Sequence, residues 1–591
     1  MGDESGIWRV PAHAIDQFYP QVRFKTMLDL NLYLKHLEAL HTRHWPENVP
    51  RTPEYPFGRI PLTEYLKRRA LLHPHKPAII FYGRELSFAE LDDLSERFAH
   101  LLRARGVGAG ARVAVFLPNC PQFLIAFYGI LKLGAIHVPV NPLFKSAEVL
   151  HELRDSGATV LLALDQLLGV VEEVRQEAGL THVFATGFGE MLPDNPDLPL
   201  PPALLKAKHI DGKVEDLLPA LSSVVVAEAL PMAQLDTPAA LNYTGGTTGL
   251  PKGCVHTQWD MVYTAATLAT VALGLQDADV GIGVNPVFWI GGETTLVIQP
   301  VFSGVTVVML ARWDPVAWMR AVEKYKVTFA GLVLDSVVEV MDHPDVMRYD
   351  FSSLRSMRGT SFVKKLGVSY RQRWRALTGV TIAEAGWGMT ETHTFDAFTR
   401  GMQRDDFDLK SQPIFVGFPV PGTEFKICDF ESGELLPLGA EGELCCRSPS
   451  MLKRYWNFSG EAEPLRDGWL YTGDVGLLDQ LGYLHFLGRR KEMLKVKGMS
   501  VFPTEIEALL GLHPSVIGSA VLGRADASKG EVPVAFVCVE PTHRGQLTAA
   551  ALEQWCRERM ASYKVPEIRF VEALPTSATG KVLKRELVQY L

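Results

Sequence analysis

The segment 243–253 (YTGGTTGLPKG) concentrates glycine, threonine and one lysine directly after an apolar run. Its glycines carry no side chain and so let the backbone approach an oxyanion closely: Gly245, Gly246 and Gly249. Its threonine hydroxyls can donate hydrogen bonds and its lysine supplies positive charge: Thr244, Thr247, Thr248 and Lys252. The segment predicts a loop that binds the phosphates of a nucleoside triphosphate. The alternative is an ordinary solvent-facing turn, which has a similar composition.

The chain has 591 residues, of which 47% are hydrophobic and 21% are charged, as is typical of a globular protein. This length exceeds the size at which a single hydrophobic core stops growing, so we expect several domains. The net charge of −8 comes from dispersed carboxylates, and lysine and arginine form no concentrated stripe. Nucleic acid is therefore not expected as a partner.

The seven cysteines are scattered and show no CxxC spacing, which favours a reducing compartment over a zinc site or a redox pair. The N-terminal residues MGDESGIWRV lack the basic start and apolar centre of a signal peptide. The most apolar window, 123–140, contains Lys132, Gly134, His137 and Pro139, so it predicts a buried helix followed by a strand. We expect a cytoplasmic protein without a transmembrane segment.

Helical periodicity alternates with short β-branched runs along most of the chain. A helical pattern covers 86–105, and β-branched runs cover 112–117, 158–164 and 305–310. This alternation predicts an α/β fold with largely parallel sheets. The GVGAG segment at 106–110 precedes a predicted strand, which is the wrong order for a dinucleotide-binding loop, so we interpret it as a turn that ends a helix. The segment 193–235 lacks periodicity and predicts a long surface connection.

Changes in composition divide the chain into three parts. Residues 1–58 contain leucines at helical spacing and then a proline-rich stretch, which predicts a helical N-terminal extension whose histidines His36, His41 and His44 lie at the surface. A basic run at 488–498 precedes a compact pattern of helix, strand and helix. We therefore expect a large α/β domain at 59–488 and a small, mobile C-terminal α+β domain at 489–591.

Five segments occur together along the chain: 243–253 (YTGGTTGLPKG), 386–392 (GWGMTET), 471–476 (YTGDVG), 488–498 (GRRKEMLKVKG) and 575–581 (PTSATGK). In this order they resemble the motifs of the adenylate-forming superfamily, which comprises acyl- and aryl-CoA synthetases, adenylation domains of nonribosomal peptide synthetases, and firefly-type luciferases. The resemblance covers about residues 59–591. It implies ATP-dependent activation of a carboxylic acid to acyl-AMP, with Mg²⁺ as the metal ion and CoA as the second substrate.

The resemblance also implies roles for individual residues. Trp387 would lie against the adenine ring, Thr390 at the α-phosphate, and both Asp474 and Arg489 at the ribose. Glu391 and Thr248 would bind Mg²⁺, a cation that prefers oxygen ligands. The complete implied nucleotide site is Thr244, Gly245, Gly246, Thr247, Thr248, Gly249, Lys252, Gly359, Thr360, Gly386, Trp387, Gly388, Met389, Thr390, Asp474, Arg489 and Lys581. These residue types suit the reaction, because AMP transfer needs cations and hydrogen-bond donors around the phosphates.

Lys581 is the leading catalytic candidate. By resemblance it bridges the substrate carboxylate and the α-phosphate, where it would stabilise the negative charge that builds up in the transition state. The implied catalytic set is Lys581, Lys495, Thr390 and Glu391.

The basic run at 488–498 has an implied second role. Lys491 matches the hinge about which the small domain of the family rotates between the two half-reactions. Lys495 matches a lysine that acts in the second half-reaction, and the residues implied beside the CoA tunnel are Lys497, Gly498, Met499 and Ser500. The alternative is that the run is a solvated linker.

The acid-binding region departs from the family pattern. The segment 286–292 (PVFWIGG) has Trp289 where histidine is common, and 358–362 (RGTSF) stands where many relatives have GGAPL. Amino-acid-activating members place an aspartate where this chain has Trp289, so an amino acid substrate is disfavoured. The implied pocket residues are Phe288, Trp289, Gly291 and Gly292, and its apolar, bulky wall predicts a fatty or aryl carboxylic acid of modest size. We expect Glu293 and Asp335 to face outward.

We therefore predict an AMP-forming acyl-CoA synthetase. One alternative is an acyl-AMP ligase that loads a carrier protein, which would be a separate chain because no carrier domain occurs here. Another is an inactive nucleotide-binding regulator, although the presence of Lys581, Glu391, Asp474 and Arg489 argues against it. Homodimerisation is common in the family and is left open.

Overall fold

The computed structural model describes residues 29–226, 228–244, 251–411, 414–458, 464–497, 499–526, 528–577 and 580–591. Within these ranges the chain forms three sheets of seven strands and one sheet of five, with helices packed between and around them. Two of the seven-stranded sheets consist mainly of parallel pairs. The predicted α/β fold class is confirmed.

The α-helices alternate with the strands over most of the large domain. In chain order they are α1 (Leu30–His44), α2 (Leu62–Leu72), α3 (Phe88–Ala104), α4 (Pro121–Lys132), α5 (Ser146–Ser156), α6 (Leu168–Val174), α7 (Leu217–Ser223), α8 (Gln258–Thr267), α9 (Ile290–Gly292), α10 (Gln299–Ser303), α11 (Pro315–Tyr325), α12 (Leu334–Asp342), α13 (Val368–Thr378), α14 (Phe407–Lys410), α15 (Pro503–Leu510) and α16 (Ala549–Arg557). The π-helical segments are Leu268–Leu273 and Glu293–Ile298. The 3₁₀ turns are Asp165–Leu167, Pro202–Leu205, Val346–Arg348, Thr390–Thr392, Arg404–Asp406, Arg490–Glu492, Pro541–His543, Lys584–Glu586 and Val588–Tyr590.

The strands are numbered in chain order. Those of the first half are β1 (Pro77–Phe81), β2 (Arg84–Ser87), β3 (Arg112–Phe116), β4 (Ile136–Pro139), β5 (Val160–Leu164), β6 (His182–Thr186), β7 (Glu215–Asp216), β8 (Pro238–Tyr243), β9 (Gly253–Thr257), β10 (Val280–Gly283), β11 (Thr306–Met309), β12 (Phe329–Val333), β13 (Ser356–Thr360) and β14 (Ile382–Glu384). The remainder are β15 (Ala397–Phe398), β16 (Phe415–Pro419), β17 (Glu424–Cys428), β18 (Gly442–Arg447), β19 (Leu465–Arg466), β20 (Trp469–Leu478), β21 (Leu484–Arg489), β22 (Leu494–Val496), β23 (Met499–Val501), β24 (Val516–Asp526), β25 (Gly530–Val539) and β26 (Glu567–Phe570).

The strand order places the predicted motifs at strand ends. One parallel sheet has the order β14-β13-β12-β10-β11-β1-β2, and the other has β7-β6-β5-β3-β4-β8-β9. The third sheet, β15-β16-β21-β20-β18-β17 with β19 beside β20, is antiparallel. Ligands of open parallel sheets bind beyond the carboxyl ends of the strands, and the segments that follow β8, β10, β13 and β14 include four of the predicted site loops.

Two local predictions are confirmed, namely the turn that ends a helix at 106–110 and the buried helix followed by a strand at 123–140. Helix α3 begins where the Ser87 hydroxyl accepts a hydrogen bond from the Glu90 N–H at 3.2 Å, and the chain leaves it through Gly106 at φ +80°. The apolar window at 123–140 forms α4, whose residues are all buried, and then β4. The described residues contain no helix long and apolar enough to cross a membrane.

The N-terminal extension forms the predicted helix, which is α1. Tyr33 and Leu37 are buried in a cluster with Phe425 and Ile427 of the third sheet, so the helix is packed on the large domain. The prediction of surface histidines is wrong for His41. Its Nε2 lies 3.0 Å from the Gly482 carbonyl oxygen, and its ring is partly buried.

The prediction of an irregular connection at 193–235 is also partly wrong. Helix α7 forms within it, and Leu217 and Leu221 are buried in the main core. Tertiary packing stabilises this short helix although its sequence has no sustained periodicity.

The fourth sheet, β23-β22-β25-β24 with β26 beside β25, uses only residues from Leu494 onward. Its core is a separate cluster that includes Val501, Val521 and Leu552. This arrangement agrees with a small C-terminal α+β domain, while the exact boundaries at 58 and 488 stay predictions.

Candidate functional site

Asp474 and Arg489 face each other because β20 and β21 pair in a register that aligns these two residues. The Asp474 side chain is buried, and its Oδ1 lies 2.8 Å from Arg489 Nε. Its Oδ2 accepts a hydrogen bond of 2.9 Å from the indole N–H of Trp387. Three residues from distant segments therefore meet at one buried carboxylate.

The electrostatic setting of Asp474 leaves it available to a ligand. Burial raises the pKa of this carboxyl to about 6, while Arg489 and the Trp387 hydrogen bond act to lower it. The contact with Arg489 has ion-pair distance but not hydrogen-bond geometry, and Oδ1 receives no hydrogen bond from the described residues. A buried acceptor of this kind is stabilised by a ligand that donates to it, such as a sugar hydroxyl.

Trp387 lies mostly in the protein core. Its side chain is packed edge to face against Phe425 at 5.5 Å between ring centroids, and only 7% of the residue is exposed. A Cβ on Gly386 would collide with the Ala397 carbonyl, and one on Gly388 would collide with the Phe395 N–H. The two glycines are therefore needed for close packing of this segment, and stacking of Trp387 on a base stays a prediction.

Glu391 and Lys252 approach each other around Tyr455. The Tyr455 hydroxyl donates a hydrogen bond of 2.9 Å to Glu391 Oε1, and Lys252 Nζ lies 5.3 Å from the centre of the Tyr455 ring. Lys252 Nζ also lies 4.5 Å from the ring of Phe458. The predicted metal ligand and the predicted phosphate-binding lysine thus share one aromatic neighbour, which the sequence motifs did not identify.

The ends of the predicted phosphate loop are joined by β8 and β9. Thr244 N–H donates to the Lys252 carbonyl at 3.0 Å, and Lys252 N–H donates to the Thr244 hydroxyl at 3.3 Å. The described ends of the segment are therefore held together by the antiparallel pairing of β8 and β9. Its centre lies outside the described residues: Gly245, Gly246, Thr247, Thr248 and Gly249.

Thr390 is held by a network behind the site. The Thr390 carbonyl lies 2.8 Å from His256 Nε2, and His256 Nδ1 lies 3.3 Å from Asp260 Oδ2. Lys453 Nζ donates to the other Asp260 oxygen at 2.8 Å. Met389, the residue before the 3₁₀ turn Thr390–Thr392, is partly buried. Sequence reasoning missed this network, because the only local signal was the capping box that starts α8 with Thr257 and Asp260.

Lys581 reaches the same cleft from the C-terminal domain. Its Nζ lies 5.6 Å from the Trp289 ring centre and 5.8 Å from that of Phe362. Lys581 keeps solvent-accessible surface. Desolvation by the surrounding protein, and next the positive charge of Arg489, lower the pKa of Lys581, and the carboxylates of Asp474 and Glu391 act in the opposite direction. Residues predicted for the nucleotide and residues predicted for the acid are therefore both close to this lysine.

The preceding glycine explains how the lysine loop enters the cleft. Gly580 has φ +82°, and a Cβ there would lie 3.5 Å from Phe362 Cδ2 and 3.8 Å from Val333 Cγ1. The loop is therefore packed on the carboxyl ends of β12 and β13, because Val333 and Thr360 are paired residues at those ends. On the other side of β13, Gly359 is the last residue paired with β14, and its carbonyl accepts from Ala385 N–H at 2.8 Å.

In the predicted acid-binding segment, Trp289 is the N-cap residue of α9, and α9 continues directly into the π-helical segment Glu293–Ile298. Phe288, Trp289 and Gly291 are partly buried, and Gly292 is buried so tightly that a Cβ would collide with the Pro286 carbonyl. A Cβ on Gly291 would make an ordinary van der Waals contact with the Trp289 ring, at 3.6 Å from Cζ3.

The expectation that Glu293 faces outward is wrong. Glu293 is fully buried, with Oε2 at 3.4 Å from His137 Nε2 and 3.3 Å from Asn242 Nδ2. Its position in the π-helical segment turns it toward β4 and β8. Asp335 also is partly buried, where it accepts from Lys364 N–H at 3.3 Å, and burial raises its pKa.

The residues predicted for the second half-reaction lie in the C-terminal domain. Lys495 Nζ donates to the Ser500 hydroxyl at 3.0 Å across the β22–β23 hairpin, and Lys495 N–H donates to Glu531 at 2.7 Å. Lys497 has φ +51° in the turn, and Met499 is half exposed. Lys491 lies in the 3₁₀ turn Arg490–Glu492, between β21 and β22. Gly498 lies outside the described residues.

The described residues fit a metal ion only together with a ligand. They contain no group of three or more His, Cys, Asp or Glu side chains that could hold a metal ion. Glu391 offers one carboxylate, of which Oε1 already accepts from Tyr455. Mg²⁺ is bound in this way in many nucleotide sites, through one or two carboxylates and the phosphates of the substrate.

Comparisons with known proteins cover nearly the whole chain. A model described as AMP-binding enzyme matches residues 66–456, and one described as AMP-binding enzyme C-terminal domain matches residues 505–581. A long-chain-fatty-acid–CoA ligase of Bacillus subtilis (strain 168) is 31% identical over 556 residues, which are 92% of this chain and 97% of the relative. The 4-coumarate–CoA ligase 2 of Oryza sativa subsp. japonica is 32% identical over 542 residues, which are 90% of this chain and 92% of the relative.

Solved structures are similar over the same length. The anthranilate CoA ligase AuaEII in complex with anthranoyl-AMP has a TM-score of 0.77 and 28% identity, and the alignment covers 91% of this chain and 98% of that one. The o-succinylbenzoate CoA synthetase MenE of Bacillus subtilis, in complex with ATP and magnesium ion, has a TM-score of 0.71 and 26% identity, with 88% and 98% covered.

Proposed function

The chain belongs to the AMP-binding enzyme family, and we propose that it activates a bulky, apolar carboxylic acid through the residues around Asp474 and Lys581. The membership confirms the resemblance predicted from five motifs. The CoA ligases among the relatives confirm the predicted class of enzyme, an AMP-forming acid–thiol ligase. One observation carries the assignment of residues. Lys581 of the C-terminal domain lies within 6 Å of the Trp289 and Phe362 ring centres, and it is close enough to Asp474, Arg489 and Glu391 for their charges to shift its pKa.

Asp474 is proposed to bind the ribose. Its Oδ1 is buried and receives no hydrogen bond from the described residues, so a ribose hydroxyl would satisfy it. Arg489 holds the carboxylate in place at 2.8 Å, and Trp387 fixes the other oxygen. In this arrangement Trp387 orients the ribose-binding group as well as bordering the adenine.

Glu391 and Lys252 are proposed to act on the phosphates. Glu391 would bind Mg²⁺ through the oxygen that Tyr455 does not occupy, and the ion would neutralise phosphate charge. Lys252 would contact the β- and γ-phosphates from the end of the loop. Thr248, the second predicted metal ligand, and the glycines of the loop are assigned by sequence alone.

Lys581 is proposed to stabilise the first transition state. One oxygen of the substrate carboxylate attacks the α-phosphorus of ATP, the bond from that phosphorus to the bridging oxygen breaks, and pyrophosphate leaves with the electron pair. The Lys581 ammonium lies where negative charge collects on the α-phosphate and the carboxylate. In the second half-reaction the CoA thiol loses its proton, its sulfur attacks the acyl carbonyl, and AMP leaves.

The body of the acid is proposed to lie against Trp289, Phe288 and Phe362. Lys581 Nζ is within 6 Å of two of these ring centres, so the reacting carboxylate would be placed at the aromatic wall. Relatives that act on long-chain fatty acids and on 4-coumarate support an acid with a large apolar part. Rotation of the C-terminal domain about Lys491 would then bring Lys495, Lys497, Met499 and Ser500 to the thiol.

The test is to incubate the protein with ATP, Mg²⁺, CoA and a panel of fatty and aryl acids, and to follow AMP and thioester together by mass spectrometry. The proposal expects equal amounts of AMP and acyl-CoA with at least one acid. Acyl-adenylate without thioester would transfer the acceptor role to a carrier protein. Absence of AMP, acyl-adenylate and acyl-CoA with every acid would contradict the proposal.

A further inference from the structure

Arg358 is a buried arginine whose terminal nitrogens have no hydrogen-bond partner among the described residues. It lies in the middle of β13, and only 8% of the residue is exposed. Its Nη1 and Nη2 atoms are buried, and neither donates a hydrogen bond to any of the described residues. An unpaired guanidinium is costly to bury, because it has lost its water and gained no acceptor in return.

The charged groups near Arg358 do not resolve this cost. Burial and the positive charge of Arg400 lower the pKa of Arg358 to about 10, so it still carries its charge at neutral pH. Arg400 donates to the carbonyls of Thr270 and Val271, both at 3.1 Å. The negative charge of Glu384 acts in the opposite direction and raises the pKa of Arg358, but its carboxylate accepts hydrogen bonds from the N–H and hydroxyl of Ser361, at 3.0 and 2.6 Å, and none from Arg358. The terminal nitrogens of Arg358 therefore still lack the acceptors that an added anion would supply.

Open space lies beside Arg358, at the glycine paired with it on the neighbouring strand. Arg358 is paired with Gly331 on β12 and with Ala383 on β14, and paired residues of neighbouring strands point to the same face of a sheet. A Cβ on Gly331 would touch nothing within 4 Å. On the neighbouring strand β10, by contrast, a Cβ on Gly283 would collide with Leu296 of the π-helical segment Glu293–Ile298. Gly331 thus leaves room beside Arg358, and the π-helical segment that follows the predicted acid-binding segment closes the space at Gly283.

This space continues the path that begins at Lys581. Val333 lies two residues beyond Gly331 on the same face of β12, and it is the residue that the Gly580 loop approaches. Two residues of a strand span about 7 Å. A substrate whose reacting carboxylate lies at Lys581 can therefore extend along β12 toward Arg358.

We propose that Arg358 is a specificity-determining residue that binds a second carboxylate, at the end of the acid opposite the reacting one, so that the preferred substrate is an α,ω-dicarboxylic acid with an apolar middle. Arginine and carboxylate match in geometry, and the two parallel hydrogen bonds of such a pair are stronger than neutral ones. The pair would supply the acceptors that Nη1 and Nη2 lack. This inference rests on the proposed function, since it assumes that an acid lies in this region.

The experiment compares α,ω-dicarboxylic acids with monocarboxylic acids of equal chain length, by measuring acid-dependent exchange of pyrophosphate into ATP. The unmodified protein should give a higher kcat/KM with the dicarboxylic acid of at least one pair. Arg358→Gln should lower kcat/KM for that acid roughly tenfold to hundredfold, mainly through KM, and should leave the monocarboxylic partner within about threefold. Arg358→Lys should recover part of the loss.

A second variant protects the test against a failure to fold. Gly331→Leu would fill the space beside Arg358 and keep the guanidinium, so it should select against the dicarboxylic acid as well; thermal unfolding of both variants checks that they are folded. Equal kcat/KM within every pair, or an Arg358→Gln effect that is the same for both acids, would overturn the inference and leave the proposed function intact. If none of the acids supported exchange of pyrophosphate into ATP, both the proposed function and the inference would be overturned.

Discussion

On the nucleotide side of the cleft, the buried carboxylate Asp474 lies 2.8 Å from Arg489, and Glu391 accepts from Tyr455 at 2.9 Å. On the proposed acid side, Nη1 and Nη2 of Arg358 are buried without a hydrogen-bond partner among the described residues, and a Cβ on Gly331 beside it would meet nothing within 4 Å. The proposed nucleotide side consists of segments that match the family motifs, whereas the proposed acid side is where the sequence departs from them. Under the proposed assignment, the protein supplies most of the partners where the ligand is common to the family, and leaves a charge for the ligand to pair where the ligand would be particular to this chain.

The buried charges of Asp474 and Arg358 also differ in how they respond to pH. Arg358, with a pKa of about 10, stays charged at neutral pH, whereas Asp474 titrates below it. The pKa of Asp474 is raised to about 6, from an ordinary value of about 3.9. Ionising it in the folded protein therefore costs roughly 3 kcal/mol more than in the unfolded chain. Because the folded-state pKa is the higher one, this group's contribution to stability is lost as the pH rises from about 4 to about 6. Binding of ribose hydroxyls would compensate for part of that cost.

The largest effect is expected for Lys581→Ala. Removing the ammonium should lower the rate of acyl-adenylate formation roughly a hundredfold to a thousandfold, because charge that develops only in the transition state loses its partner. Formation of thioester from a supplied acyl-adenylate should be retained. Separate assays of the two half-reactions check this, and an equal loss in both would contradict the proposed role.

Asp474→Asn should have the next largest effect, confined to the nucleotide side. The KM for ATP should rise roughly tenfold or more, because a charged acceptor for the ribose is replaced by a neutral one. In the unmodified protein kcat/KM for ATP should fall as the pH is lowered through about 6, and this dependence should be absent in the variant. A pH profile of both proteins from about 5 to about 8 makes the comparison, and identical profiles would exclude Asp474 as the titrating group.

Tyr455→Phe tests how Glu391 is held. Loss of the hydroxyl removes the 2.9 Å hydrogen bond but keeps the ring beside Lys252. We expect a rise of roughly threefold to tenfold in the Mg²⁺ concentration needed for half-maximal rate, with little change in the KM for the acid. Titration of Mg²⁺ at a fixed ATP concentration measures this change. A change in the KM for the acid alone would contradict the prediction and assign Tyr455 to the acid site.

The smallest effect is expected for Trp289. Its ring lies 5.6 Å from Lys581 Nζ, a cation–π contact worth about 0.5–2 kcal/mol. Trp289→Leu should reduce kcat for adenylation roughly twofold to fivefold, and Trp289→Phe, which keeps an aromatic ring, should reduce it less. Equal reductions would show that the residue acts only by filling space.

The sequence predicted more of the nucleotide side than of the acid side for a physical reason. Local patterns were sufficient to predict features that depend on residues close together in the chain. Such features are the predicted phosphate loop, whose ends β8 and β9 join, and helix α3 with the glycine that follows it. Asp474, Arg489 and Lys581 were assigned from motifs, and the structure brings them to one cleft.

The wrong and missing predictions all involve partners that are distant in sequence. Glu293 was expected to face outward, but a π-helical segment directs it to His137 and Asn242, which no local pattern reveals. Tyr455 follows no motif and was missed for the same reason. Arg358 was noted only as a departure from the family pattern, because its lack of a partner depends on what β12 and β14 carry on either side.

The most direct test of the account is to follow the oxygen atoms of the acid. A carboxylic acid labelled with heavy oxygen in its carboxylate is incubated with the protein, ATP, Mg²⁺ and CoA, and the AMP is analysed by mass spectrometry. If the carboxylate attacks the α-phosphorus at the cleft around Lys581, each AMP released with a thioester carries one labelled oxygen. Unlabelled AMP alongside the thioester would show that the reaction does not pass through an acyl-adenylate, which would contradict the account.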